Sequence, residues 1–198
     1  MNFTAPAFVL AFPFVLALHW VLPPQARWVL LLAASLGFYA VGSPQALPLL
    51  AGITLGTYAA ALGIAKSEHA LVKKCWLVCA VLLCLGCLGV FKYAGLFGAG
   101  TSLLLPAGIS FYTFQTLGYV IDVYRRRLKP ERHLGYYALF VSFFPQLVAG
   151  PIERSTILLP QLHDPERRMD TGGWLWMVRG FAKKLLLADT AAVFVDAV

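Results

Sequence analysis

Along the chain, long apolar runs alternate with short polar or glycine-rich breaks. A bilayer-spanning helix needs ~20 mostly apolar residues, with a range of ~17–25. By that measure the pattern predicts spans over roughly Ala5–Leu22, Trp28–Gly42, Gln45–Ala65, Cys75–Phe97 and Leu103–Tyr124. A sixth run, Leu134–Gly150, is less regular. Prolines in Phe143-Phe144-Pro145-Gln146 and Gly150-Pro151 interrupt it, and proline removes a backbone donor and kinks a helix. Broken backbone at membrane depth persists only where protein or a cavity covers it. After Ile152 a polar stretch carries Pro160 and Pro165 as far as Met169. Asp170 is a suitable N-cap for a last helix with Trp174, Trp176 and Phe181 beside Arg179, Lys183 and Lys184. Aromatic residues mixed with Lys and Arg fit a helix lying at headgroup level.

The expected fold class is therefore all-α. The pattern describes a polytopic membrane protein of about five to six transmembrane or re-entrant helices plus an interfacial C-terminal helix. Residues 1–198 form one membrane portion, in which 151–170 is a polar connection and 171–197 the interfacial helix. Met1 to Pro6 carries no Lys or Arg, so the first run lacks the basic start of a signal peptide and is expected to stay as an anchor.

Loop charges predict the orientation. Arg27 follows the first run, Lys66, Lys73 and Lys74 the third, and Arg125-Arg126-Arg127-Leu128-Lys129 the fifth. The breaks after the second and fourth, Ser43-Pro44 and Gly98–Ser102, are uncharged. Under the positive-inside rule the basic loops are cytoplasmic and the N-terminus is outside, periplasmic in a bacterial inner membrane.

Composition narrows the classes further. The chain is 60% hydrophobic and only 13% charged, against about 45–50% and 25% in soluble domains. Disorder is excluded by the same apolar content. A net charge of +7 invites a nucleic-acid reading. The charge is segregated, however: residues 1–121 hold five basic side chains, and the other eleven lie between Arg125 and Lys184. That layout excludes nucleic acid as the expected partner and favours the lipid bilayer.

Candidate chemistry is sparse. Cys84-Leu85-Gly86-Cys87 has metal-site spacing, but Cys75, Cys79, Cys84 and Cys87 share one apolar run with no His or carboxylate beside them. They read as packing residues, and no metal site is expected. On the fifth run Gly108, Tyr112, Gln115, Tyr119 and Asp122 fall within about an 80° arc at ~100° per residue. This polar stripe either lines a tunnel or glues helices together. Asp122 precedes Arg125 and Arg126 by three and four residues, the spacing of a local ion pair. Lys92 sits near a helix end, from which it can snorkel to the interface. Glu153 and Arg154 are neighbours that do not face one another on a helix, so each is expected to meet other segments or headgroups, as are Lys183 and Lys184. His19 lies at the end of the first run, while His69, His133 and His163 fall in polar loops. None is placed as a catalytic base.

Four blocks carry a family resemblance. Leu105–Gln115, Tyr119–Arg125, Phe143–Ile152 and Gly180–Thr190, together with Phe91-Lys92-Tyr93, resemble the membrane-bound O-acyltransferases, nearest the alginate O-acetyltransferase type. The resemblance implies a bowl of helices around a tunnel, in which a histidine deep in the membrane moves an acyl group outward. It implies an acyl donor such as acetyl-CoA as co-substrate, with no bound cofactor. It also implies periplasmic O-acetylation proteins as partners and a polysaccharide acceptor. The histidine blocks of such enzymes do not occur before Val198, so the chain resembles the N-terminal part, and no catalytic residue is assigned within 1–198. Two other readings compete: a non-enzymatic membrane subunit, and a small transporter with broken helices.

Overall fold

The computed structural model describes residues 6–93, 106, 108–147, 153–164, 171–188 and 190–191. Every regular element among the described residues is helical. The helices are α1 (Pro6–Val21), α2 (Pro24–Gly42), α3 (Leu47–Lys66), α4 (Ala70–Tyr93), α5 (Ile109–Tyr124), α6 (Leu134–Ser142), α7 (Phe144–Leu147), α8 (Ser155–His163) and α9 (Thr171–Lys183). They fall into two compact units, Met1–Asp164 and Pro165–Val198.

Three helical segments, Pro24–Gly42, Pro44–Lys66 and Ala70–Lys92, are long and apolar enough to cross a membrane. This is an all-α membrane protein. Among the other expected spans, the apolar part of α1 is shorter, Ala11–Val21. Within the run expected from Leu103, the described helix α5 begins at Ile109, directly after Gly108 at φ 74°. At 1.5 Å per residue the resulting helix is about 24 Å long, short of a ~30 Å hydrocarbon core.

The first unit is centred on α3, which packs against both α4 and α5. Leu50, Ile53, Thr54, Thr57, Ala60, Ala61 and Ile64 recur every three or four residues and form its buried stripe. Small residues in this stripe let neighbouring backbones approach. The approach to α4 is close at Gly56 and Gly63, where an added Cβ would run into the Leu83 side chain and would lie 2.5 Å from the Trp76 ring, respectively. From α4, Ala80, Cys84 and Leu88 answer at four-residue spacing. Cys84 is buried with its sulfur 3.7 Å from Thr116 Oγ1.

The irregular sixth run divides where its aromatic-proline sequence suggests. Helix α6 stops at Ser142, Phe143 turns out of helical conformation, and Pro145 lies inside the short α7. The second expected break, at Gly150-Pro151, lies outside the described residues. Both sides of the first break are satisfied from neighbouring helices. Ser35 Oγ on α2 accepts from the Phe144 N–H at 3.2 Å, and Gln115 Nε2 on α5 donates to the Phe140 carbonyl at 3.0 Å. Elsewhere α6 is joined to α3 by a 2.8 Å hydrogen bond between Tyr137 and Thr57, both fully buried.

The polar connection 151–170 is not uniformly irregular. It carries α8, whose Leu158 and Leu159 are buried, and α8 packs on α6 and α5. In the second unit α9 is followed by a π-helical turn, Lys184–Ala188. Leu175, Trp176 and Val178 are exposed there, and the Arg179 guanidinium lies 5.6 Å from the Trp176 ring. Lys183 ends α9 and is exposed. The expected cap, Asp170, lies outside the described residues.

Candidate functional site

The stripe on α5 divides into parts with different surroundings. Gly108 is the left-handed residue that starts the helix. Tyr112 is fully buried in the core, its hydroxyl beside that of Tyr39. One turn further on, Gln115, Tyr119 and Asp122 line a cavity of about 310 Å³ between α5 and the start of α8. Arg127, Glu153, Arg154, Ser155 and Thr156 complete its polar wall. Five of the residues singled out in the sequence (Gln115, Tyr119, Asp122, Glu153 and Arg154) therefore meet at one place, although 30 positions separate the α5 group from the α8 pair. Lys183 and Lys184 belong to the other unit.

Local folding explains the arrangement. Helix α5 ends in a Schellman turn: Arg126 adopts φ 59°, its N–H reaches the Val123 carbonyl at 3.0 Å, and the Arg127 N–H reaches the Asp122 carbonyl at 2.9 Å. This reversal brings Arg127, rather than Arg125 or Arg126, to Asp122, with 4.0 Å between guanidinium and carboxylate. The expected ion pair exists with a different partner, because the helix ends before i+3 and i+4 can form a helical face.

Tyr119 is held from outside the helix. Its hydroxyl accepts from the Glu131 N–H at 2.8 Å. Glu131 also grips α8: its Oε2 lies 2.6 Å from His163 Nε2, and its Oε1 accepts from the His133 N–H at 2.8 Å. His163 stacks on Tyr136 with ring centres 3.9 Å apart, and Trp28 meets His133 edge-on at 4.9 Å. Two histidines expected in loops thus stand at helix ends, His133 capping α6 and His163 closing α8. This cluster was not foreseen. Its members are far apart in sequence, and only the capping geometry of His133 leaves a local signal.

Beside the cavity, and sharing Glu153 with it, lies a second one of about 330 Å³. Phe143, Pro145, Gln146, Ile157, Leu158 and Gln161 line it, so the residues of the α6 break form one of its walls. Ser155 is the other residue that sequence reasoning passed over. It is 2% exposed and its hydroxyl has no hydrogen-bond partner among the described residues.

The chain was compared with known proteins. No family model and no solved structure matches it. It is 37% identical over 216 aligned positions to the probable alginate O-acetylase AlgI of Pseudomonas putida, covering 99% of this chain and 44% of that protein. The AlgI of Pseudomonas aeruginosa is 36% identical, with 99% of this chain and 41% of the relative covered. The peptidoglycan O-acetyltransferase of Helicobacter pylori is 31% identical over 243 positions, with 98% and 46% covered. The resemblance to alginate-type membrane O-acetyltransferases thus holds along almost the whole chain, which spans less than half the length of these relatives.

Proposed function

We propose that this chain is the N-terminal membrane part of an O-acetyltransferase that modifies an extracellular polysaccharide, alginate before peptidoglycan. Continuous similarity to O-acetyltransferases of both kinds carries this reading. The protein sits in a bacterial inner membrane with its N-terminus in the periplasm, and the basic turn after α5 faces the cytoplasm. Acetyl enters from a cytoplasmic donor such as acetyl-CoA and leaves outward, where periplasmic O-acetylation proteins complete transfer to the polymer.

Within that scheme the described residues build wall and mouth. By the resemblance, the general base is a histidine of the complete enzyme outside 1–198. The cavity bounded by Gln115, Tyr119, Asp122, Glu153 and Arg154 opens beside the basic turn and forms the donor-side end of the path. A low-polarity enclosure further in keeps water from the activated acetyl group.

The test is acetyl transfer by membranes containing the complete enzyme together with its periplasmic partners. Labelled acetyl-CoA is supplied to the cytoplasmic face, and ester-linked acetate is measured on alginate and on peptidoglycan. Label on alginate supports the full proposal. Label confined to peptidoglycan replaces the acceptor, and label on neither polymer overturns the function.

A further inference from the structure

Helix α9 is one-sided in its exposure. A helix at headgroup level is expected there from the sequence; which side meets lipid, and which lipid, depend on that exposure. At ~100° per residue, Leu175, Trp176, Val178, Arg179, Ala182 and Lys183 fall within an arc of about 160°, and all six are exposed. Met177 and Phe181, outside the arc, are partly buried, and the exposed Gly173 and Gly180 present no side chain there. Around the arc the order is Val178, Ala182, Leu175, Arg179, Lys183, Trp176. Two cations thus stand between an aliphatic shoulder and an aromatic one. Val178 is 61% and Trp176 71% exposed, and exposed apolar groups rimmed by charge mark a contact with protein or membrane. The charge has one sign, since no Asp or Glu occurs from Thr171 to Ala188. Neither Arg179 nor Lys183 is in an ion pair among the described residues. The Arg179 guanidinium lies 5.6 Å from the Trp176 ring, which holds cation and ring together without neutralising the charge.

We infer that this side of α9 docks on an anionic lipid surface. Arg179 and Lys183 meet headgroup phosphates, and Leu175, Val178 and the Trp176 ring seat beside them at the acyl boundary. A bilayer is a constant neighbour of the helix, because the same chain has three segments long and apolar enough to cross one. The depth fits as well. Tryptophan is at home where headgroups meet water, and long cationic side chains lay their methylenes along apolar surface while the charge reaches outward. An acidic protein would match the charge, but it would also have to offer apolar surface on both sides of the cations. A leaflet does so along its whole extent. Each cation near an anionic leaflet strengthens binding about fivefold, whereas a zwitterionic leaflet engages the apolar shoulders alone. The lipid class is therefore set by charge, and phosphatidylglycerol is its simplest bacterial-type representative. Acetyl transfer plays no part in this inference.

The experiment places the full chain in lipid nanodiscs of phosphatidylcholine alone, or of phosphatidylcholine and phosphatidylglycerol in equal parts. Cys75, Cys79, Cys84 and Cys87 are replaced, and a nitroxide is attached through Ala182→Cys on the exposed arc or Gly173→Cys on the far side. Gly173 admits a side chain, since nothing lies within 4 Å of an added Cβ. Spin-label collisions with a water-soluble nickel chelate and with oxygen read the depth of each site. With phosphatidylglycerol the label at 182 is expected to lose contact with the chelate and gain contact with oxygen, while the label at 173 stays in water. In phosphatidylcholine alone both labels are expected to meet the chelate. Arg179→Gln or Lys183→Gln should lower the ratio of shielded to unshielded label about fivefold, and the pair together roughly 25-fold. Salt at about 1 M, where the Debye length is ~3 Å, should do the same. Arg179→Lys with Lys183→Arg keeps both charges and should keep the response, which separates lost charge from a lost fold. Equal shielding in both kinds of disc, shielding in neither, or shielding that survives the double glutamine variant overturns the inference. The complete enzyme is expected to behave as this chain does; a label at 182 shielded there whatever the lipid would mean that protein covers the face, and would overturn it too.

Discussion

Ser35 donates to the Leu31 carbonyl at 2.7 Å while accepting from the Phe144 N–H across the α6 break. Its hydroxyl is thus the partner that lets backbone leave helical conformation inside an apolar layer. Ser35→Ala strands a buried N–H, and the expected cost is about 1–3 kcal/mol. Thermal unfolding in detergent should show the loss, and Ser35→Thr should recover most of it. A melting temperature unchanged in the alanine variant would mean that another group takes up Phe144. Gln115 has two roles, since it satisfies the Phe140 carbonyl and also borders the cavity. Gln115→Leu should therefore lower both stability and acetylation in the complete enzyme. Asp122 makes only a 4.0 Å pair with a largely exposed Arg127, so Asp122→Asn should reduce acetylation at unchanged melting temperature. Wild-type turnover in Asp122→Asn, at equal protein level, would return that part of the stripe to simple packing.

At the scale of elements, the turn after α5 decides which charges enter the cavity. Arg126 holds a left-handed conformation that glycine adopts without a Cβ penalty. Arg126→Gly should raise stability by about 0.5–1 kcal/mol and keep the Arg127–Asp122 approach, whereas Arg126→Val should lower it. Urea unfolding of the two variants would measure the difference, and the reverse order would refute the Schellman reading. This turn also shows where sequence pattern stops being informative. Apolar runs gave α2, α3 and α4 because hydropathy and length are local properties. The Pro145 break was legible because a missing donor is a property of one residue. Asp122's partner was not, since it depends on where α5 ends, and nothing in Arg125-Arg126-Arg127 distinguishes the residue that turns. Helix α8 was hidden by Pro160 and by polar flanks, and its helicity comes with the burial of Leu158 and Leu159 in tertiary packing. The Glu131–His163 contact joins positions 32 apart and has no local signature.

For the whole molecule, the alternation of basic and uncharged turns is the only source of orientation, and the helix packing constrains how it can be read. A short turn, Pro44–Ala46, joins α2 to α3, and residues 67–69 join α3 to α4. Such short links return the chain towards the opposite membrane face each time. The turn with no charge therefore belongs to one side and the lysine-bearing turn to the other, and the positive-inside rule assigns the latter to the cytoplasm. Exposed positions at three places make the assignment measurable: Gln45 in the first turn, Ala70 at the start of α4, and Lys129 after α5. Single cysteines at these sites, with Cys75, Cys79, Cys84 and Cys87 replaced, should divide cleanly in intact cells. A membrane-impermeant maleimide is expected to label position 45 and to leave 70 and 129 untouched until the membrane is opened. Labelling of 70 or 129 in sealed cells would invert the topology. It would also place the cavity beside Asp122 on the outer face, where a cytoplasmic donor could not reach it.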